Sequence, residues 1–344
     1  MLEPAGRVDG APIRLAENED IAFQGCIVLG MGFVLAREEA QEWIREEPRN
    51  REILFPYLNG EDLNSRPDCS PSRWVIDFRD WTQSRAASYA LPFKRVEQLV
   101  RPERLKTKQR DYRTYWWRFG RVGVGVRKAI AGLDEVLVIA LVSKSVMPAR
   151  VSTGQVFSHK LGVFATDSFA DQGMLSSSLH QMWAIKYGST MRADVNYSPS
   201  DVFLTLPRPQ PTDQLARAGR TLDEERREIM LRRQLGLTKL YNLVNDPHLA
   251  DTDDPDIMRL RRIHVEVDEA VMAAYGWDDV PLDHGFHTYR QMTRWTVSPA
   301  VRVEILDRLL EENLRRAAAQ QPKSGKVKKA RARAAAGGSQ GMLL

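Results

Sequence analysis

The stretch LPRPQPTD, residues 206–213, constrains this chain more than any other. Pro207, Pro209 and Pro211 remove alternate backbone donors and fix φ, so neither a helix nor a centrally paired strand runs through it. It splits 344 residues into a longer, mixed first part and a shorter second part. A chain of this length is expected to form two domains more readily than one.

The two parts carry different patterns. Before the prolines, RWVIDF reads as a strand at Trp74-Val75-Ile76, and LGVFATDS as another. EVLVIALVS, from Glu135, is a continuous β-branched and apolar run, the mark of a strand covered on both faces. After the prolines helix signals dominate. Thr221-Leu222-Asp223-Glu224 has the spacing of a capping box, and Gly236 is placed to stop that helix in the left-handed region, with Arg232 and Arg233 near its end. Asp254-Pro255 offers an N-cap and first-turn proline. Ile257, Leu260, His264, Val267, Val271 and Ala274 then form an apolar seam. Ser298-Pro299 opens a last helix with Ile305, Leu306, Leu309, Leu310 and Leu314 on one side. The expected fold is α+β: a flexible leader over 1–17, a mixed α/β domain over 18–210, a helical domain over 211–319 and a disordered basic tail over 320–344.

Net charge is only +5, but its distribution is uneven. Residues 94–128 hold twelve Lys or Arg against Glu97, Glu103 and Asp111, and a second basic cluster lies at 323–333. Positive charge held in blocks points to a polyanion. The longest apolar run, 136–142, is far below the ~20 residues of a membrane helix, and MLEPAGRVDG has no signal-peptide core. Cys26 and Cys69 fit neither a disulfide framework nor a zinc site. A cytoplasmic, nucleoid-associated protein without membrane contact is expected.

Familiar catalytic motifs fail on inspection. Gly30-Met31-Gly32 follows an apolar run and precedes a helical segment, as cofactor loops do. Position 35, however, is Leu where a dinucleotide loop needs its third glycine, and Cys26 and Ile27 stand where a methyl-donor loop has an acid. DTDDPD has calcium-like alternation but Pro255 occupies a ligand place. His284 and His287 stand among Asp278, Asp279 and Asp283 without a second ligand pair. Ser176-Ser177-Ser178 and His180 lack a nucleophile elbow. No catalytic, cofactor or metal residue is therefore assigned.

The stronger signal is basic residues interleaved with aromatics, KTKQRDYRTYWWRFGR. Arg104, Lys106, Lys108, Arg110, Arg113, Arg118 and Arg121 are candidate phosphate contacts. Tyr112, Trp116 and Trp117 are a candidate stacking platform, although at least one Trp is as well explained by the core. Lys144, Arg150, Gln155, His159 and Lys160, with Arg192 and Asn196, are the side-chain types that read base edges.

A series of segments in this order, FPYLNGEDL, RWVIDFRDW, VRPER, WWRF, SSSLHQMWA, YSPSDVFLTLPRP, LGLTKLYNLVND, LRRIHVEVDEAVMAAYGW and RVEILDRLLEEN, resembles the C-terminal part of MmeI-like DNA methyltransferases. These are single-chain type IIG or IIL restriction–modification enzymes, with relatives in phage defence. The likeness runs from about Asn18 to about Arg316. It implies a DNA target-recognition domain followed by a helical region, with FQGCIVLGMGF as the lead-in to recognition rather than a cofactor loop. The family's catalytic tetrapeptide, an Asp, Asn or Ser before Pro-Pro and an aromatic, occurs nowhere here, and neither does its cofactor motif. The resemblance thus implies a module that binds double-stranded DNA and does not methylate alone, either a split subunit or a truncated gene product. S-adenosylmethionine would sit on a missing catalytic domain or on a methyltransferase subunit in trans. On this reading Arg150→Ala relaxes sequence preference while Arg113→Ala weakens all sequences equally. Two competitors are an active adenine methyltransferase with an unrecognised site at Gly30-Met31-Gly32, and a protein-interaction scaffold built on the helical half.

Overall fold

Alternation along one strand organises the molecule. In β5 (Glu135–Ala140), Leu137 and Ile139 enter one apolar core, while Val136, Val138 and Ala140 enter another. Period-two side-chain direction makes this unavoidable once both faces are covered. The computed structural model describes residues 7–191, 194–249, 254–289 and 292–320, with the side chains of 190 and 191 left aside.

β5 is central in an antiparallel sheet ordered β1-β9-β5-β7, with β1 at Ala22–Gln24, β7 at Ala149–Ser152 and β9 at Leu161–Phe164. Val138 faces Val163 on one side and Ala149 on the other. A second sheet, β2-β4-β3-β8, joins Val34–Ala36, Arg73–Ile76, Leu54–Leu58 and Val156–Phe157; only its β3–β8 pair is parallel. The three strands expected at 73–76, 135–143 and 161–164 are present. The middle one breaks after Ala140, and its end, β6 (Val142–Ser143), pairs instead with β11 (Asp194–Asn196) beside β10 (Ser189–Met191).

Helices cover these sheets. α1 (Arg37–Glu46) packs on the second sheet, whereas α2 (Gly60–Ser65), capped by the Asn59 side chain, sends Leu63 into the core under Val136 and Val138. α3 (Gln83–Ala87), α4 (Ala90–Leu99), α5 (Arg101–Leu105) and α6 (Arg110–Thr114) form a strap over the second sheet, and α7 (Val124–Ala129) carries the strap on to β1, with Val126 in the core under Val136 and Val138. α8 (Phe169–Ser176) and α9 (Ser178–Tyr187) pack on the first sheet. After the prolines come three helices of 21 or 22 residues, α10 (Asp213–Arg233), α12 (Pro255–Tyr275) and α13 (Pro299–Gln320), and the shorter α11 (Leu237–Val244). The α+β class holds, but the second part is not purely helical: β12 (Gly285–Tyr289) and β13 (Met292–Thr296) form a hairpin between α12 and α13.

The expected domain boundary does not separate two cores. Leu215, Val271, Ile305 and Leu309 fill the core under Leu137 and Ile139, and Leu222, Ile229, Leu240 and Leu260 fill that under Val136 and Val138. The prolines end the strands without ending the hydrophobic interior, because the sheet has two apolar faces and the later helices complete both.

Three local expectations are corrected. The described part of the leader is docked rather than loose: Arg7 N donates to Asp307 Oδ2 at 2.6 Å, Ile13 N to Asn313 Oδ1 at 2.8 Å, and Leu15 is fully buried. Thr221 lies inside α10, whose true N-cap is Thr212, accepting from Leu215 N. The left-handed stop is Gln234 (φ 53°), not Gly236 (φ −77°). Gly236 is required for a different reason: a Cβ there would come within 2.3 Å of the Ser65 carbonyl carbon. The Asp254 cap and the Ser298-Pro299 helix start are as expected, Ser298 Oγ accepting from Val301 N at 3.4 Å. The basic tail at 321–344 and the first half of DTDDPD, residues 251–253, lie outside the described residues.

Candidate nucleic-acid interface

The strap exposes much of its charge because its aromatic residues face inward. Trp116, Trp117 and Phe119 are buried with Phe33, Val96 and Val100 in the core of the second sheet. Trp117 Nε1 donates to the Trp81 carbonyl at 3.0 Å. Neither Trp is a stacking platform, which corrects that assignment; burying two indoles stabilises the core by several kcal/mol, of the order of 3 each. Tyr112 is half-buried and Tyr115, unassigned above, is exposed.

The arginines divide by what they touch. Arg104 is buried, and its Nε and Nη2 donate to the carbonyls of Val28, Leu29 and Arg118 at 2.7–3.2 Å. It fastens the strap to the segment before Gly30 and lies off the exposed cationic surface, with Nη1 alone left without an acceptor. Arg118 gives Nε and Nη2 to the Trp81 carbonyl at 3.0 and 2.8 Å, so only part of its guanidinium is available. Arg113 and Arg121 each spend one donor, on Thr107 O and Gly25 O, and are otherwise exposed. Lys106, Lys108 and Arg110 are exposed and meet no carboxylate or side-chain acceptor among the described residues.

The base-reading candidates scatter. Arg150 is buried, donating to Asp167 O at 2.9 Å and lying 3.8 Å from the Asp223 carboxylate and 4.0 Å from the centre of the Phe169 ring. It joins the sheet to α8 and α10, so the expectation that Arg150→Ala merely relaxes specificity is withdrawn. Gln155 folds onto its own turn, Nε2 to Ser152 O at 2.7 Å. That turn lies beside the Glu135 end of β5, since Ser152 pairs with Glu135. His159 and Lys160 lie at the other end, where Leu141 N donates to Lys160 O at 2.9 Å. The strand itself separates the two ends by roughly 17 Å. Asn196 pairs with Val142 at that second end and gives Nδ2 to Ser189 Oγ. Lys144 is exposed just beyond it. Arg192 lies outside the described residues.

One grouping joins the two basic segments. Ile27 bridges Arg121, Cys26 bridges Ser158, and His159 N donates to Cys26 O at 2.8 Å. Arg121, His159 and Lys160 are therefore neighbours. Burial, then the charges of Lys160 and Arg121, push the His159 imidazole down from its ordinary range, leaving a neutral ring beside two cations near neutral pH. A second polar cleft of about 270 Å³ sets Lys144 beside Asn242, Asn245 and Arg294, with Arg294 Nη2 on Lys144 O at 2.8 Å. The sequence reading missed these partners, which lie some 100–150 positions away and carry no local signal.

Gly30 and Gly32 do not make a cofactor cradle. Gly30 has φ 134°, and a Cβ at Gly32 would lie 2.6 Å from Leu99 Cβ and 2.8 Å from Val100 Cγ2. The glycines let the chain press against α4, and that helix fills the space a nucleoside would need, so the residues do not fit S-adenosylmethionine. His284 is likewise engaged, its Nε2 2.8 Å from Asp268 Oδ2, while Asp268 Oδ1 accepts from Ser178 N at 2.7 Å. Cys26 and Cys69 are free and buried, and desolvation raises the Cys69 thiol to about 11. No described helix is long and apolar enough to cross a membrane.

The family profile described as MmeI, target recognition domain, matches residues 14–210. Among solved structures, the chain is similar to one described as the type IIL restriction-modification enzyme MmeI in complex with DNA. That likeness has a TM-score of 0.62 at 18% identity and covers 90% of this chain. The chain spans 38% of the length of that structure. No curated protein matches.

Proposed function

Because this chain belongs to the family of MmeI target recognition domains, we propose that it reads a sequence in double-stranded DNA for a restriction–modification system. Methyl transfer is then the work of a catalytic domain or partner outside these residues, to which S-adenosylmethionine binds. What carries this reading is unmatched cationic surface: Lys106, Lys108, Arg110 and Arg113 on the strap, continued by Arg121, which the Cys26–Ser158 bridge brings beside His159 and Lys160. These side chains track phosphates and set register, a task that needs charge without a fixed internal partner. His159, Lys160, Asn196 and Lys144, at the Ala140 end of the central sheet, are the base-reading set that survives, joined by Asn242 and Asn245. Absence of a Pro-Pro pair anywhere in the chain fits a module that does not act alone. A nucleoid-associated location follows from such binding.

Anisotropy of a labelled duplex at about 50 and 200 mM salt tests this. Affinity should fall by orders of magnitude across that interval, and indifference to salt would end the proposal. Calorimetry with S-adenosylmethionine tests the competing methyltransferase reading, which heat of binding to this chain alone would restore.

A further inference from the structure

The strap contains a cleft beside the phosphate-tracking residues, with Arg110 at its edge. It has a volume of about 510 Å³, within the usual span for small-ligand sites of roughly 300–1,000 Å³, and opens between α5, α6 and the segment after Trp117. Tyr112 and Tyr115 line it, with Arg104, Arg110 and Arg118; Asp111 is the one carboxylate of its lining. Each tyrosine already carries a cation. The Arg104 guanidinium lies 5.0 Å from the centre of the Tyr112 ring and that of Arg118 4.5 Å from that of Tyr115. Arg104 Nη1 is buried without an acceptor, although the other nitrogens of that guanidinium are satisfied. Arg110 has no internal partner among the described residues.

These features ask for a ligand with a flat ring and an anion. Cation-backed phenol rings stack well on a nucleobase, and every base presents a π face whatever its identity. An unmet guanidinium donor beside a free arginine suits a phosphodiester oxygen. A paired base within a duplex offers its edge, not its face, so the occupant must be out of the stack. We propose that this cleft holds a single unstacked nucleotide of a DNA strand, its base against Tyr112 and Tyr115 and its phosphate toward Arg110 and Arg104. The inference rests on the DNA reading above and adds to it a site for a distorted strand. Arg104 thereby serves two ends, holding the strap and facing the ligand.

The test uses the full chain and two labelled duplexes of one sequence, fully paired or carrying a central single-thymine bulge. The bulged duplex should bind about tenfold more tightly. Tyr112→Leu with Tyr115→Leu should erase that preference while affinity for the paired duplex stays within about twofold, and a circular-dichroism melt checks that this double variant folds. Arg110→Ala alone should reduce the preference and also weaken the paired duplex. Equal binding of both duplexes by the unaltered chain, or a preference that survives the double tyrosine change, overturns the cleft proposal and leaves the DNA reading standing. Failure to bind either duplex overturns the DNA reading itself.

Discussion

The strap at 94–128 and the region at 211–320 are both rich in arginine, yet they treat charge in opposite ways. The later region has twenty acidic residues for sixteen basic ones, and many of its arginines meet carboxylates. Arg233 meets Asp254 at 2.9 Å, Arg259 meets Glu225 at 2.6 Å, Arg308 meets both Asp279 and Glu304, and Arg316 meets Glu312 and Glu17. The strap has three acids for twelve bases. Arg95, Arg101 and Arg127 find carboxylates, Arg104 and Arg118 find backbone carbonyls, and Lys106, Lys108, Arg110 and Lys128 find no partner among the described residues. A balanced surface settles its electrostatics within the protein, whereas an unbalanced one is settled by counterions or a polyanion. This is why the later region, apart from the α11 end at Asn242 and Asn245, is a poor candidate for phosphate contacts.

The comparison breaks most readily at its unmatched end. Replacing Lys106, Lys108 and Arg110 together by Ala should lower duplex affinity by two orders of magnitude or more at low salt. The slope of log affinity against log salt should fall by about 2.7, near 0.9 per lost contact. An unchanged slope would place the phosphates elsewhere. Arg104→Met should act on the fold instead. It strands carbonyls of Val28 and Leu29 and costs about 3 kcal/mol or more in urea denaturation. Lys106→Met, on the same strap, should change stability by less than about 0.5 kcal/mol. Similar costs for the two would erase the division between internal and external cations.

Much of this division was legible early and part was not. Twelve bases against three acids is a property of composition, visible without coordinates. Which of them face water is not, because Arg104 and Lys106 are two positions apart on one short helix and its cap, and only packing against Val28 and Leu29 tells them apart. The aromatic interleaving misled for the same reason. Trp116 and Trp117 form one core layer with Phe93, with Trp116 5.3 Å from Phe93 and 5.8 Å from Trp117, while Tyr112 and Tyr115 reach the cleft.

A further effect concerns acid sensitivity in the interior outside the strap. His180, between Leu175 O and the Tyr197 hydroxyl, and His264, bonded to the Tyr241 hydroxyl at 2.9 Å, are buried, and desolvation lowers both to about 4. The unfolded chain binds these protons near 6.5 and the folded chain does not. Stability is therefore complete above about pH 6.5 and falls as pH drops toward 4, by up to about 3 kcal/mol for each ring. Denaturation midpoints between pH 7 and 4.5 check this, and a flat profile would mean that neither ring is desolvated as described. The smallest change is expected at the balanced end. Arg259→Ala with Arg308→Ala should leave the salt slope of DNA binding unaltered and cost about 1 kcal/mol or less in stability for each exposed pair. A reduced slope would show that the helical half also touches DNA.

The sequence by itself determined the strand at 135–140, the helix caps at Asp254 and Ser298, the proline break and the local excess of positive charge. Each is set by residues within a few positions of one another. Only the tertiary structure decided that the break does not divide the core, that Arg104 and Arg150 face inward, and that Lys144 shares a cleft with Asn242 and Arg294. The physical reason is common to all three. Burial depends on which distant apolar face arrives to cover a residue, and β5, open on both faces, is completed by helices that the chain supplies after residue 212.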